Sequence, residues 1–191
     1  MSDLDEKEFF DRLAPKWDEM DDGDHGRKAL LASLPIQKGM RLLDAACGTG
    51  VITGELMALS GSPVIGVDIS GEMLRRAKAK YAGSEATFVE ASLYDYEDEP
   101  FDGIIVYNAY PHFVELERFK KKLSSLLKPG GFAVILHNMG RARLDAHHAH
   151  VPAVISRSLL PVNEEAAFYK DTFFVERAEE DENHYLILLR K

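Results

Sequence analysis

Two acidic residues that each end an apolar run are the first candidates for chemistry in this sequence. Asp44 precedes a turn that contains Gly48 and Gly50, and Asp68 ends a second apolar run 18 residues after Gly50. Glycines let a backbone approach a ligand closely, and the N–H groups at the start of the next helix favour polar or anionic ligand atoms. A carboxylate at the position of Asp68 can accept hydrogen bonds from both hydroxyls of a nucleoside ribose. These residues therefore predict a site for a small ligand of the adenosine type.

The spacing of the glycines discriminates between adenosine-containing ligands. The dinucleotide-binding fingerprint requires a third glycine at position 53, where this chain has Thr53. This departure disfavours a nicotinamide or flavin cofactor, although Asp68 would serve one equally well. The simplest alternatives are an ordinary strand-to-helix turn for the glycines and an N-cap or loop acid for Asp68.

Histidines provide the candidates for acid–base chemistry. His112 is the first choice for a general base, because imidazole titrates near neutral pH, and His137 is the second. Either histidine could instead hold the structure by hydrogen bonds. His147 and His150 would share a helix face and could join the other histidines around a metal or a substrate. Short histidine clusters on polar segments are seldom so specific, and no metal site is expected.

Strands and helices alternate along the chain and indicate an α/β fold. The predicted strands lie at 41–44, 64–68, 86–90, 100–108, 132–137, 173–178 and 184–189, the last two as an antiparallel hairpin. We expect a doubly wound, Rossmann-like, seven-stranded mixed sheet, mostly parallel with an antiparallel last strand, with helices on both faces. Because ligands of such sheets bind beyond the carboxyl ends of the strands, Asn108 and the segment up to His112 should line the crevice.

Composition limits the class of protein. Of the 191 residues 46% are hydrophobic, enough for one good core, and we expect a single domain. The formal net charge of −9 argues against binding to a nucleic-acid backbone. The acidic start is unlike a signal peptide, and no apolar run approaches the roughly 20 residues of a membrane span, so we expect a cytoplasmic protein with no membrane partner. Cys47 is the single cysteine, which excludes an internal disulfide.

The run from Asp44 to Gly50 resembles motif I of the class I S-adenosylmethionine-dependent methyltransferases. Phe101-Asp102 with the apolar run after it resembles motif IV, and Leu126 to Gly131 resembles the family's turn into the fifth strand. The resemblance covers about residues 40–137 by motif and the rest by the order of elements. It implies transfer of a methyl group from S-adenosylmethionine to a small-molecule acceptor by in-line displacement, with S-adenosylhomocysteine as the product.

The resemblance also implies which residues bind the cofactor. The glycine loop would pass beneath its amino-acid part, and the loop after the third strand would hold the adenine. Ala46 replaces the first of the family's usual three glycines, and Ser92 replaces its usual adenine-binding acid, so that the Ser92 hydroxyl, Asp95 or a backbone group must take that role. The implied cofactor-binding residues are Asp44, Ala46, Cys47, Gly48, Gly50, Asp68, Ile69, Met73, Ser92, Leu93 and Asn108.

An apolar stripe of helical period marks the N-terminal arm, residues 5–22, which Pro15 should divide into two short helices. The stripe consists of Phe9, Leu13, Trp17 and Met20. Part of the arm resembles the N-terminal cap of small methyltransferases, which folds over cofactor and substrate, and core packing is the alternative. The implied layout is a helical cap or lid over 1–38, a cofactor-binding core over 40–137, and a substrate-side segment with a terminal hairpin over 138–191.

Two other functions stay open at this point. A noncatalytic cofactor-binding or interaction protein is mildly favoured by Ala46 and Ser92. An NAD-dependent oxidoreductase is disfavoured by Thr53 and by the terminal hairpin. A fold by itself does not decide between such functions. The sequence is compatible with a sulfur, nitrogen, oxygen or carbon acceptor atom.

Overall fold

The structure is a computed structural model that describes residues 3–20, 26–148, 151–152 and 154–191, without the side chains at 3–5, 20 and 147–148. The expected loop at 21–24 and the imidazoles of His147, His148 and His150 therefore lie outside the described part. The chain divides into two compact units, Met1–Glu97 and Asp98–Lys191.

A mixed sheet of seven strands confirms the expected fold. Its strands are β1 (Leu42–Ala45), β2 (Val64–Asp68), β3 (Thr87–Glu90), β4 (Phe101–Tyr107), β5 (Leu127–His137), β6 (Phe174–Glu180) and β7 (Tyr185–Arg190). Their order across the sheet is β3-β2-β1-β4-β5-β7-β6. The pairs β1–β2, β2–β3 and β4–β5 are parallel, whereas β7 runs antiparallel to both β5 and β6. The reversed last strand is thus inserted beside its hairpin partner, as predicted.

Eight helices are described. They are α1 (Asp3–Leu13), α2 (Trp17–Met20), α3 (Arg27–Ala32), α4 (Thr53–Ser60), α5 (Gly71–Lys80), α6 (Leu116–Leu126), α7 (Arg141–His148) and α8 (Val162–Ala167), with 3-10 turns at Ala14–Lys16 and Tyr110–His112. The arm is divided at Pro15, as predicted, because the proline falls in the turn between α1 and α2. Among the described residues, none of these helices is long and apolar enough to cross a membrane.

In the first unit, the parallel strands β1 and β2 are mostly buried and lead into helices α4 and α5, whereas β3 is half-exposed and leads into a turn. All four residues of β1 are buried, which explains why its sequence is an unbroken apolar run up to Asp44. A side-chain N-cap begins α5, since the Ser70 side chain accepts a hydrogen bond from the Met73 amide at 3.1 Å.

In the second unit, β5 begins earlier than its sequence suggested. We expected a turn at 128–131 and a strand from 132, but β5 starts at Leu127 and includes these residues. Gly130 adopts a left-handed conformation (φ 76°) and donates to the Lys191 carbonyl at 2.9 Å. The register against β4 shifts between Phe101 and Gly103. The glycines therefore form an irregularity inside a longer strand, because pairing with distant segments continues through them.

Candidate active site

Asp68 ends β2 and holds the glycine loop in place. Its Oδ2 accepts a hydrogen bond from the Gly48 amide at 2.7 Å, and its Oδ1 accepts one from the Ser70 amide at 2.8 Å. A carboxylate has about four acceptor positions, so these two bonds leave capacity for ligand hydroxyls. The side chain is 8% exposed, and burial raises its pKa to about 6. Asp68 can therefore fix the loop and bind a ribose at the same time.

Asp44 supports the loop from inside the core. Its carboxylate is 1% exposed and accepts a hydrogen bond from the Thr53 hydroxyl at 2.7 Å. Burial raises the pKa of Asp44 to about 7, and the nearby charge of Asp68 adds to the effect. In the sequence, Thr53 stands out only because it replaces the third glycine of the dinucleotide-binding fingerprint. In the structure, its hydroxyl links the first residue of α4 to Asp44 of β1. Its place in the first helical turn, nine residues after the acid, was the available signal.

The glycine loop turns three times through left-handed backbone. Ala46, Gly48 and Gly50 have φ values of 56°, 54° and 74°. Gly50 is required for packing, because a Cβ there would lie 2.8 Å from the ring of Tyr81. The Tyr81 hydroxyl donates to the Gly50 carbonyl at 2.7 Å and accepts from the Gly54 amide at 2.9 Å. Tyr81 thus forms a polar bridge between the glycine loop and the start of α4.

Gly48 and Ala46 differ from Gly50 in what surrounds them. A Cβ on Gly48 would meet only Trp17, with Nε1 at 3.6 Å, so space remains beside this part of the loop. Ala46 is a non-glycine residue in the left-handed region, a conformation that costs an alanine about 1–2 kcal/mol. A backbone that can be approached at Gly48 fits a ligand passing beneath the loop.

The other residues of the predicted cofactor site in this unit lie near the same strand ends. Ile69 and Ser92 are half-buried, and the carbonyl of Ser92 accepts hydrogen bonds from the amides of Asp95 and Tyr96 at 3.0 Å. Leu93 and Met73 are 5% and 1% exposed.

Cys47 belongs to a core cluster with Leu74, Ala77 and Phe88. Burial raises the pKa of its thiol, which keeps the thiol protonated. Its side chain therefore acts in packing, while its neighbours Ala46 and Gly48 form the surface of the loop.

The N-terminal arm is bonded to the segments that end or follow β1, β2 and β3. The three pairs are Asp18 with Thr49, Asp11 with Ser70 (2.6 Å) and Lys7 with Glu90 (2.6 Å). The apolar stripe predicted an amphipathic arm but not these contacts, because hydrogen bonds between residues more than 30 positions apart leave no local pattern. The arm thus contacts the segments at which the predicted cofactor-binding residues are found.

In the second unit, Asn108 and His112 follow β4. The Asn108 amide nitrogen donates to Asn138 Oδ1 at 2.8 Å, and Asn108 Oδ1 accepts from the Asn138 amide at 3.2 Å. His112 is half-buried, and its Nδ1 lies 2.9 Å from the carbonyl oxygen of Ile155. A carbonyl only accepts, so Nδ1 carries the proton, and Nε2 is the basic atom of the neutral ring.

His137 lies in a different environment. It is fully buried in β5, is paired in register with Tyr185 of β7, and packs against the Tyr185 ring with centroids 6.2 Å apart and planes at 76°. A histidine inside the sheet is less accessible to an acceptor than His112. Within the described residues, no group of three or more His, Cys, Asp or Glu side chains could hold a metal ion.

Comparison with known proteins assigns the chain to a family. A methyltransferase-domain profile matches residues 43–135. The 2-phytyl-1,4-naphtoquinone methyltransferase of Trichormus variabilis is 31% identical over 142 residues, which cover 67% of this chain and 62% of that protein. The demethylmenaquinone methyltransferase of Staphylococcus aureus is 35% identical over 119 residues, 58% of this chain and 48% of that protein. The chain thus spans about half to three fifths of the length of these curated relatives.

Solved structures share the fold. A chain in the complex between the Haloferax volcanii Trm112 methyltransferase activator and a proposed methyltransferase has a TM-score of 0.80 at 18% identity, covering 95% of this chain and 96% of that chain. The DhpI-SAM-HEP complex has a TM-score of 0.77 at 17% identity, covering 98% of this chain and 97% of that chain. At these identities the likeness concerns the fold.

Proposed function

We propose, from the premise that this chain belongs to the class I S-adenosylmethionine-dependent methyltransferases, that it transfers a methyl group from S-adenosylmethionine to a small-molecule acceptor. The observation that carries the proposal is the pairing of Asp68 with the Gly48 amide. It places an acid with remaining acceptor capacity beside a loop that a ligand can approach.

The described residues fit S-adenosylmethionine. Asp68 would accept hydrogen bonds from the ribose hydroxyls, and the backbone from Ala46 to Gly50 would lie beneath the amino-acid part. The segment containing Ser92 and Leu93 would hold the adenine through the Leu93 side chain and polar groups of the segment, because Ser92 stands where the family has an acid. Asn108 would add an amide whose orientation is fixed by Asn138.

The residues of the protein contribute mainly by positioning. When bound, S-adenosylmethionine supplies an activated methyl group on a sulfonium sulfur. The glycine loop and Asp68 hold the bound group in one orientation, and the arm excludes water from it. His112 removes the acidic proton of the acceptor at Nε2, since Nδ1 is engaged by the Ile155 carbonyl. His137 is the weaker candidate for this role because it is fully buried.

The names of two relatives support one acceptor class. These relatives are named for naphthoquinone or menaquinone substrates, so we infer a planar hydroxylated aromatic acceptor for this chain. The hydroxyl proton of such an acceptor requires a base, which agrees with the role given to His112. A panel of small acceptors, which contains hydroxylated aromatic compounds and other classes, tests this choice.

The arm, as part of the cap at 1–38, is proposed to close over the cofactor. The pairs Asp11–Ser70 and Asp18–Thr49 support this proposal, because Ser70 and Thr49 lie beside the proposed cofactor-binding residues Ile69 and Gly48.

Calorimetric titration of the purified chain tests cofactor choice directly. We expect binding of S-adenosylmethionine and S-adenosylhomocysteine and no binding of NAD. Tight NAD binding without a response to either sulfur compound would reject the proposal. Binding of both sulfur compounds with no turnover on any acceptor of the panel would favour the noncatalytic alternative.

A further inference from the structure

A buried polar cluster in the second unit has no role in the function proposed so far. At its centre is Glu165 of α8, which is 1% exposed. Its Oε1 accepts from the Tyr110 hydroxyl at 2.6 Å and from Arg157 Nη2 at 2.7 Å. Its Oε2 accepts from Arg157 Nη1 at 3.2 Å and from the Leu160 amide at 3.1 Å. These four donors fill the acceptor positions of the carboxylate, so its orientation is fixed.

The cluster fixes Arg157 and Tyr110 as well. The Arg157 guanidinium binds Glu165 through both terminal nitrogens and lies over the Tyr110 ring, 4.6 Å from its centroid. Tyr110 is fully buried, and its hydroxyl is also 2.7 Å from that of Tyr169. Burial raises the pKa of Tyr110 far above its usual value, so the hydroxyl stays protonated and donates to Glu165. Arg157 is thus held by a fork and a stacking contact at once.

The backbone around Arg157 is bonded to the turn that contains His112. The Arg157 amide donates to the Pro111 carbonyl at 3.0 Å. Two residues earlier, the Ile155 carbonyl accepts from His112 Nδ1 at 2.9 Å. Residues 155–157 therefore contact the turn at both the backbone and the imidazole. Arg157 is therefore only two residues from the carbonyl that determines which ring nitrogen of His112 carries the proton.

We propose that Arg157 and Glu165 are positioning residues for His112. Their ion pair holds the Ile155 carbonyl in place, and that carbonyl keeps the His112 proton on Nδ1 and the basic lone pair on Nε2. The inference rests on the proposed function in one respect only, namely that Nε2 removes a proton from the acceptor. Partners that orient a functional histidine in this way typically change activity by about 10- to 100-fold when replaced.

Arg157→Lys is the variant to test. It keeps the positive charge but loses the two-pronged bond to Glu165 and the stacking on Tyr110. Nitrogen NMR of the isotope-labelled ring, assigned by loss of the signal in His112→Gln, reports the tautomer without any need for turnover. We expect wild-type His112 as the Nδ1–H form and a substantial Nε2–H population in the variant. Once an acceptor is known, the kcat of Arg157→Lys should be about 10- to 100-fold below that of wild type, with unchanged affinity for S-adenosylhomocysteine.

Lys120→Met is the matched control. Lys120 is another buried cation of the same unit, 3% exposed, which bonds Asp171 and lies over the Phe168 ring. Its replacement should cost stability without changing the His112 tautomer.

A folded Arg157→Lys with the wild-type tautomer overturns the proposal, and so does a wild-type ring protonated on Nε2. Should Arg157→Lys not fold, Tyr110→Phe decides in its place, because it removes a single donor to Glu165: a shifted tautomer supports the proposal and an unchanged one rejects it. A wild-type chain with the expected tautomer but no methyl transfer refutes the proposed function and leaves the positioning inference standing.

Discussion

Asp68→Asn separates the role of Asp68 in cofactor binding from its role in the fold. Asparagine keeps the shape of the side chain but removes the charge and leaves one acceptor oxygen where there were two. The Gly48 and Ser70 amides, at 2.7 and 2.8 Å, then compete with the ribose for that oxygen. Hydrogen bonds to a charged group are worth about 1.5–3 kcal/mol each. Loss of two of them corresponds to roughly a 100- to 10 000-fold weaker cofactor affinity, and partial compensation should leave at least tenfold.

The same substitution should barely change the stability of the cofactor-free protein. Burial raises the pKa of Asp68 from 3.8 to about 6, so at pH 8 the ionised group costs the folded state about 3 kcal/mol relative to the unfolded chain. Asparagine removes this cost, but one amide loses its acceptor, at about 1–3 kcal/mol. The two effects nearly cancel. We therefore expect a free energy of unfolding within about 2 kcal/mol of wild type.

Calorimetry with S-adenosylhomocysteine, together with denaturant unfolding of the cofactor-free protein, measures both quantities. Glu85→Gln is the control, because it removes one exposed negative charge from the same unit. Its affinity should equal that of wild type. An unchanged affinity in Asp68→Asn would show that the carboxylate does not contact the ribose. A loss of affinity matched by an equal loss of stability would show that Asp68 acts only by holding the loop.

Three further results are expected. An acid with a raised pKa ionises first in the unfolded chain, so Asp68 and Asp44 together should lower the free energy of unfolding of the cofactor-free protein from about pH 4 to pH 7, and Asp68→Asn should make this fall smaller; cofactor affinity should rise through about pH 6, and a flat affinity curve would contradict the role of Asp68. Ala46→Gly should relieve the left-handed backbone at φ 56° and, net of glycine's entropy, raise the melting temperature by about 2–4 °C, so a lower melting temperature would oppose this reasoning. Removing residues 1–20 should weaken cofactor binding and leave a folded sheet by circular dichroism, whereas an unfolded product would mean that the arm belongs to the core.

The fold could be predicted from the sequence because its elements are encoded locally. The run from Val64 to Asp68 is a strand with the expected bounds, since a buried parallel strand is apolar throughout and ends where its acid begins to contact the loop. The predicted start of β5 was wrong by five residues, because Pro129 and the two glycines after it are typical of a turn. Hydrogen bonds between these glycines and Lys191 keep the segment in the strand instead. Local signals do not contain such distant partners.

The sequence predicted that the acids and glycines lie at strand ends and in the loop after β1, but it did not predict the contacts that hold them. The Tyr81 hydroxyl bridges Gly50 and Gly54, which lie 31 and 27 positions away along the chain, so no local pattern in the sequence reveals this contact. Glu165 lies on a short helix and Arg157 in a loop, and neither segment has a periodicity that would predict a buried position for Glu165. Glu165 is buried because Arg157 pairs with it, and a residue type alone does not predict such a pair.

The most direct test of methyl transfer is to incubate the purified chain with S-adenosylmethionine and hydroxylated naphthoquinone acceptors, and to measure S-adenosylhomocysteine and the methylated acceptor together by mass spectrometry. If the chain transfers the methyl group, the two products should appear in equal amounts with wild-type protein. At a cofactor concentration near the wild-type Kd, Asp68→Asn should lose most of this activity and Glu85→Gln should retain it. Formation of neither product across the full panel of small acceptors, by a folded chain that binds S-adenosylhomocysteine, would contradict methyl transfer.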